Sequence, residues 1–256
     1  MGPEGWRFDG EHGSLSQDPI HGFETIRQLY RHADASFDGP YTIPVLWDQK
    51  TDTMVNNESS EIIRMLYSSF DHLLPEAQRE VHRPGGGLYP DALRQDIDAL
   101  NAWVYDTVND GVYKTGFATS QAAYDAGVKA VFASLDRLEV LLAGHGKNFL
   151  LGDTLTEADV RLYTTVVRFD AAYVPVFLAN LRTIRHDYPH LHAWLRRLYW
   201  DADSVKEQTR GAFHGTTSDF LDLYGPAYAR ARHRIVYKNQ GPLIVPAGPS
   251  VKIEPM

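Results

Sequence analysis

The stretch "TIPVLWDQKTDTMVNNESSEIIRML", residues 42–66, decides how this chain is read. "YTIPVLWD" (41–48) is a mostly apolar run with the character of a strand, "QKTD" is a turn, and "TMVNN" (53–57) is a second short strand. "SSEIIRMLYSSF" (59–70) follows as a helix with Ile62, Ile63, Leu66 and Phe70 on one side. Two details exceed the needs of a plain hairpin and helix. Pro44 lies inside the first strand, where it cannot donate to a ladder. A cis peptide there would turn the main-chain groups of Ile43 outward, towards an extended, peptide-like ligand. An edge-strand proline is the plain alternative. Glu58 and Ser59 stand where the helix begins, beside free N–H groups and a partial positive charge. Serine there suits a carboxylate and Glu58 suits an ammonium, which together describe an amino-acid head group. Ordinary helix capping is the alternative.

Working outward, residues 1–20 are polar and glycine-rich and read as irregular. "GFETIRQLYRHAD" (22–34) places Phe23, Ile26, Leu29 and Tyr30 at helical spacing, and Gly39-Pro40 breaks the chain after it. A linker-like break is expected over 71–89, ending in "RPGGGLYP" (83–90). From residue 90 to 200 the pattern is helical, with helices over 91–117, 119–145, within 146–170, and over 188–201. The second of these has Ser/Thr at its start and Gly near its end. "LTEADVRL" (155–162) carries a capping box of Thr156 and Asp159. Residues 201–256 are mixed and end in a loop. The expected class is α+β: a small sheet-bearing part over 1–75 and an all-α part with a C-terminal extension over 90–256.

Composition removes several functions. The 256 residues suffice for a sizeable core, and the net charge is −8. The short basic run "ARARHR" (229–234) reads as a solvated face, so no nucleic-acid partner is expected. No apolar run approaches the about 18 residues of a membrane span, and no signal-peptide pattern is visible. No membrane partner and a cytoplasmic location are therefore expected. His186, His190 and His192 lack a ligand spacing such as H-E-x-x-H, and no metal site is expected. "GGG" (85–87) precedes no Lys-Ser/Thr and is no phosphate loop. The chain contains no cysteine, hence no disulfide, thiolate ligand or cysteine nucleophile of its own.

The outward-facing Ile43 and the helix start at Glu58 and Ser59 would together hold a small peptide by its backbone and its amino-acid end. Glutathione is such a ligand. "GW" (5–6), residues 42–66, "FATSQAAYDAGVKAVFASLDRLE" (117–139), "FLLGDTLTEADVRLYTTVVRFDAAY" (149–173), "NLRTIRHDYPHLHAWLRRLY" (180–199) and "IVPAGP" (244–249) together resemble the glutathionyl-hydroquinone reductases, the Xi class of glutathione transferases. The resemblance implies an incomplete thioredoxin-like N-terminal domain and an all-α glutathione-transferase C-terminal domain. It also implies glutathione as cofactor, glutathionylated quinols or related small aromatics as substrates, and a homodimer. By the same resemblance Trp6 lies over the glutathione site, and Ile43, before cis-Pro44, pairs with the cysteinyl backbone. Glu58 and Ser59 hold the γ-glutamyl end, and Tyr124 and Tyr228 face the aromatic substrate.

Two departures matter. Pro40 stands where the family has an arginine before the cis-proline strand. The family's catalytic cysteine, in a Cys-Pro-Trp-Ala motif upstream of "GW", has no counterpart among these residues. The first strand, first helix and second strand of the domain are expected to be absent, leaving the 41–47 edge bare, either because the chain is part of a longer protein or because they were lost. No catalytic residue is assigned, because the reductase step needs a thiolate. The alternative function is a non-redox protein that binds glutathione or a small aromatic ligand, or a transferase or isomerase of secondary metabolism.

Overall fold

The computed structural model describes residues 6–10, 14–200, 202, 204–248 and 252–255, with only the backbone of residues 204 and 207. The chain divides into two compact units, Met1–Arg79 and Glu80–Met256.

In the first unit, helix α1 (Ile26–Ala33) starts at Thr25, which forms a reciprocal capping box with Gln28. Phe23 therefore falls before the helix expected over 22–34. Ile26, Leu29 and Tyr30 are buried, with Phe8, Phe37, Tyr41, Trp47 and Met54 among the side chains packed around them. Strands β1 (Leu46–Asp48) and β2 (Thr53–Asn56) form an antiparallel hairpin, with Trp47 opposite Met54 and a bulge between Leu46 and Trp47. Its turn is held by Asp48, whose carboxylate accepts from the Lys50 N–H at 2.8 Å and the Thr51 hydroxyl at 2.7 Å. The strand expected over 41–48 is shorter than its apolar pattern suggests: residues 41–45 stay out of the ladder. Pro44, with no N–H to offer, is among them. Arg7 bridges Thr25 in antiparallel fashion. Helix α2 (Ser59–Ser68) buries only Ile62 within this unit, while Leu66 and Phe70 are exposed.

The second unit opens with a run of 3₁₀ turns through the glycine cluster. Gly87 has φ +91, and a Cβ there would lie 2.4 Å from a Glu80 carboxylate oxygen. That carboxylate accepts the Leu88 N–H, and the Leu88 carbonyl accepts the Glu157 N–H at 2.7 Å. The segment is thus docked on the helical core rather than slack. Helix α3 (Arg94–Val104) runs through a π turn, Tyr105–Asn109, into α4 (Gly111–Gly116), so the helix expected over 91–117 is interrupted. Helix α5 (Gln121–His145) begins at Ser120, which caps Ala123, and ends at left-handed Gly146.

Helix α6 (Glu157–Arg168) continues into a second π turn, Phe169–Tyr173. Then come α7 (Ile184–Asp187), α8 (Pro189–Tyr199), α9 (Ser204–Thr209), α10 (Ala212–Thr217) and α11 (Leu221–Tyr237). The last was not legible in "mixed" residues 201–256, because Gly225-Pro226 interrupts its pattern; Pro226 lies inside the helix. No described helix is long and apolar enough to cross a membrane.

The capping box at α6 is the polar centre of this core. Asp159 is fully buried; one oxygen accepts the Leu150 N–H and the Trp194 indole N–H, both at 2.9 Å. Its other oxygen accepts the Thr156 N–H and hydroxyl, both at 3.0 Å. Asp159→Ala strips the acceptor from four donors and should destabilise the helical unit by about 3 kcal/mol or more. Thr183→Ala, at the cap of α7, should cost only about 1 kcal/mol. Urea unfolding followed by helical circular dichroism separates the two.

Candidate functional site

Buried Tyr30 organises the N-terminal unit's site elements. Its hydroxyl donates to the Thr42 carbonyl at 2.9 Å and lies 3.1 Å from the Thr42 hydroxyl. The Asn57 amide donates to the Tyr30 hydroxyl at 3.0 Å and to the Thr42 hydroxyl at 3.3 Å. The Ile43–Pro44 loop and the approach to α2 are therefore tied to one side chain. The Ile43–Pro44 peptide is cis. Ile43 is 47% exposed, and among the described residues none hydrogen-bonds its main chain. At α2 the Glu58 N–H donates to the Asn56 side chain at 2.6 Å, while the Glu58 carbonyl accepts the Ile62 N–H at 2.9 Å. The Glu58 side chain makes no capping hydrogen bond, and Glu58 and Ser59 are both exposed. Trp6 is exposed and is placed through its carbonyl, which accepts the Ile26 N–H at 3.0 Å. Removing the Tyr30 hydroxyl leaves half-buried partners on Thr42 and Asn57 without it, so Tyr30→Phe should cost about 1–2 kcal/mol, read as a lower melting temperature.

The helical unit gathers a ring of phenols. Tyr113 on α4, Tyr173 in the second π turn and Tyr228 on α11 place their hydroxyls 2.8 Å (113–228), 3.1 Å (173–228) and 3.5 Å (113–173) apart. Gly116 lets Phe177 close against this ring, since a Cβ there would fall 2.2 Å from the phenyl carbon. Burial first, then the neighbouring Tyr228, pushes the Tyr113 phenol up to about 12. Burial, then Tyr228 and Tyr113, likewise holds Tyr173 well above the ordinary phenol range. Arg168 donates to the Tyr228 hydroxyl at 3.4 Å, and its guanidinium lies 4.8 Å from the Tyr224 ring centre. Among the described residues its buried Nε has no hydrogen-bond partner. Arg168 also lines a cavity of ≈ 540 Å³ with Leu155, Tyr163, Val167, Phe213 and Tyr224, within the about 300–1,000 Å³ typical of small-molecule sites.

Of the tyrosines expected from sequence, Tyr228 belongs to this ring and Tyr124 does not. The Tyr124 hydroxyl donates to the Leu178 carbonyl at 2.7 Å, at a residue with φ +60. Tyr113, Tyr173 and Arg168 were not singled out in the sequence. They read there as ordinary helix positions, and only the two π turns hint that these segments are special.

Residues 121–197 match the family described as "Glutathione S-transferase, C-terminal domain". A Schizosaccharomyces pombe protein named glutathione S-transferase omega-like 2 is 47% identical over 99% of this chain and 75% of its own length. The crystal structure of the glutathione-S-transferase Xi from Phanerochaete chrysosporium superposes with a TM-score of 0.83 at 45% identity, covering 98% of this chain and 74% of that one. The chain belongs to the Xi class of glutathione transferases. Another relative is YqjG of Escherichia coli, named a glutathionyl-hydroquinone reductase, which is 50% identical over 76% of this chain and 56% of its own length. Its glutathione-bound structure has a TM-score of 0.79 at 42% identity over 98% of this chain and 74% of that one. Membership accounts for the α+β architecture and the helical C-terminal domain of this Xi-class chain.

The phenol ring makes alkaline stability a readout. Tyr113 ionises near 10.0 when unfolded and at about 12 when folded. The folded state thus keeps a proton that the unfolded chain gives up, and the resulting stability is full below pH 10.0 and lost as pH rises towards about 12. Tyr113→Phe should flatten that fall in pH-dependent thermal melts.

Proposed function

We propose that this chain binds glutathione through its thioredoxin-like unit and a small aromatic or quinol-type ligand through its helical unit. The cis-Pro44 loop leaves the Ile43 main chain exposed and unengaged among the described residues. An extended cysteinyl backbone pairs there in antiparallel fashion. The exposed, uncapped start of α2 supplies N–H groups and positive potential for the γ-glutamyl carboxylate, with Ser59 beside it and Glu58 for the ammonium. Trp6 covers the thiol end. In the helical unit, Arg168 lines the cavity and offers a charged donor to a quinol oxygen, and the apolar cavity wall takes the ring. Tyr228 contributes through its hydroxyl, which accepts from Arg168. Tyr124 contributes by holding the Leu178 carbonyl.

The observation that carries this reading is the pairing of the cis-proline loop with an uncapped helix start, both anchored by Tyr30. Removal of glutathione from a glutathionyl-quinol requires a thiolate to attack the sulfur, release the quinol and form a mixed disulfide that a second glutathione resolves. These 256 residues contain no cysteine, so they position the reactants and do not supply the nucleophile. That fact favours a second reading, in which the chain is a non-redox glutathione or aromatic-ligand binder.

Glu58→Ala with Ser59→Ala should abolish retention on immobilised glutathione, whereas Asp38→Ala, on an exposed residue, should leave it unchanged. Equal retention of both would move the site elsewhere. The 256-residue chain should release no oxidised glutathione from a glutathionyl-hydroquinone above the free-glutathione background. Turnover by this chain would overturn the thiolate requirement.

A further inference from the structure

Three segments of the N-terminal unit meet at a cluster that no sequence spacing announces. His21 lies in the loop before α1, His32 in the last turn of α1 and Asp52 in the turn between β1 and β2. His21 Nε2 is 2.6 Å from one Asp52 oxygen, and His32 Nε2 is 2.7 Å from the other. The candidate ligand atoms all lie within 4.8 Å of one another. On its far side His21 Nδ1 is 3.2 Å from an oxygen of buried Asp18, which also accepts the His21 backbone N–H at 2.6 Å. The His21 ring is held between neighbours: it stacks on Phe23 at 5.0 Å and meets Trp47 edge-on at 5.4 Å.

A neutral imidazole carries one N–H. His21 has a carboxylate oxygen against each ring nitrogen. With the Nδ1 proton directed to Asp18, Nε2 is the ring nitrogen that faces Asp52, a position open to a proton or a metal ion. Fixing the tautomer through a carboxylate on Nδ1 is how metal-binding histidines are oriented, with Nε2 left as the ligand atom. We propose that His21 Nε2, His32 Nε2 and the Asp52 carboxylate form a binding site for a divalent transition-metal ion of the zinc type, oriented by Asp18. Two imidazoles and one carboxylate are a borderline donor set that suits Zn²⁺ and not the all-oxygen preference of Mg²⁺ or Ca²⁺. Metal–ligand distances of about 2.0–2.2 Å put neighbouring ligand atoms roughly 3.3 Å apart in a tetrahedron. Asp52 therefore retracts by under ~1 Å on binding. Its side chain, 50% exposed on a turn, is free to do so and leaves the outer position to water. The ion replaces the protons now shared with Asp52.

The site is structural. Among the described residues Ile26, Leu29 and Tyr30 form the buried cluster of this unit, with Ile62 buried on α2, and small units with thin cores commonly depend on a staple. An ion here ties α1 to the β1–β2 turn and to the chain that precedes the helix. It stands apart from the glutathione reading, and neither depends on the other.

The test uses the full chain, stripped with a chelator and titrated with zinc chloride against a chromophoric zinc indicator. One equivalent should bind and raise the melting temperature, with excess Mg²⁺ unable to compete. His21→Ala and His32→Ala should each weaken binding at least tenfold, and Asp18→Asn by about 10–100-fold. His145→Ala, an exposed histidine of the other unit, should change nothing. Nitrogen NMR of the wild-type imidazoles reads the ligand atoms directly and does not depend on any variant folding: the Nε2 signals of His21 and His32 should move with zinc while Nδ1 of His21 keeps its proton. Absence of saturable binding, binding that survives both histidine substitutions, or unmoved Nε2 signals would each overturn the proposal and leave Asp52 as a hydrogen-bonded bridge between the two imidazoles.

Discussion

The helical unit hangs on one buried carboxylate. Asp159 accepts four hydrogen bonds, from the 150 segment, from the start of α6 and from the Trp194 indole on α8. Burial alone pushes its proton affinity up, and the donors from Leu150, Trp194 and Thr156 act against that rise. The neighbouring Glu157 is also fully buried, pairs with Arg161 at 2.9 Å and accepts from Asn101 of α3 at 3.0 Å. The Glu157 N–H meets Leu88, which brings in the glycine cluster. One helix start therefore sets the positions of α3, α8 and the segment leading into the unit. Everything α6 carries at its other end, including Arg168 and the π turn with Tyr173, inherits its register from that start.

The phenol ring exists because three chain segments distant in sequence are held at that register. Tyr113 and Tyr173 stay protonated at neutral pH for a physical reason: burial disfavours the phenolate, and a charge on one hydroxyl would repel charge on the next. Such a ring acts as a set of hydrogen-bond donors and acceptors, not as a base. Arg168 supplies the lasting positive charge beside it.

The N-terminal unit uses the same logic on a smaller scale. Tyr30 combines the core of α1 with the polar ties to Thr42 and Asn57, so a single side chain places both the cis-proline loop and the entry to α2. Few apolar residues share that burden, which is why polar contacts at His21, His32 and Asp52 carry so much of its connectivity.

Local patterns determined much of this protein. The hairpin and following helix, the Pro44 position, the Thr156–Asp159 box and the caps of α5 were all legible, because each depends on residues a few positions apart. The resemblance carried by 42–66 and 149–173 gave the family. Periodicity misjudged α11 because Pro226 sits inside it, and it made the 41–48 strand too long because apolar character does not report ladder pairing. Tyr113, Tyr173 and Arg168, like the His21–His32–Asp52 cluster, could not be found that way. Their chemistry comes from hydroxyls and imidazoles brought within hydrogen-bonding distance across tens of residues, and only packing of the tertiary structure decides which side chains meet.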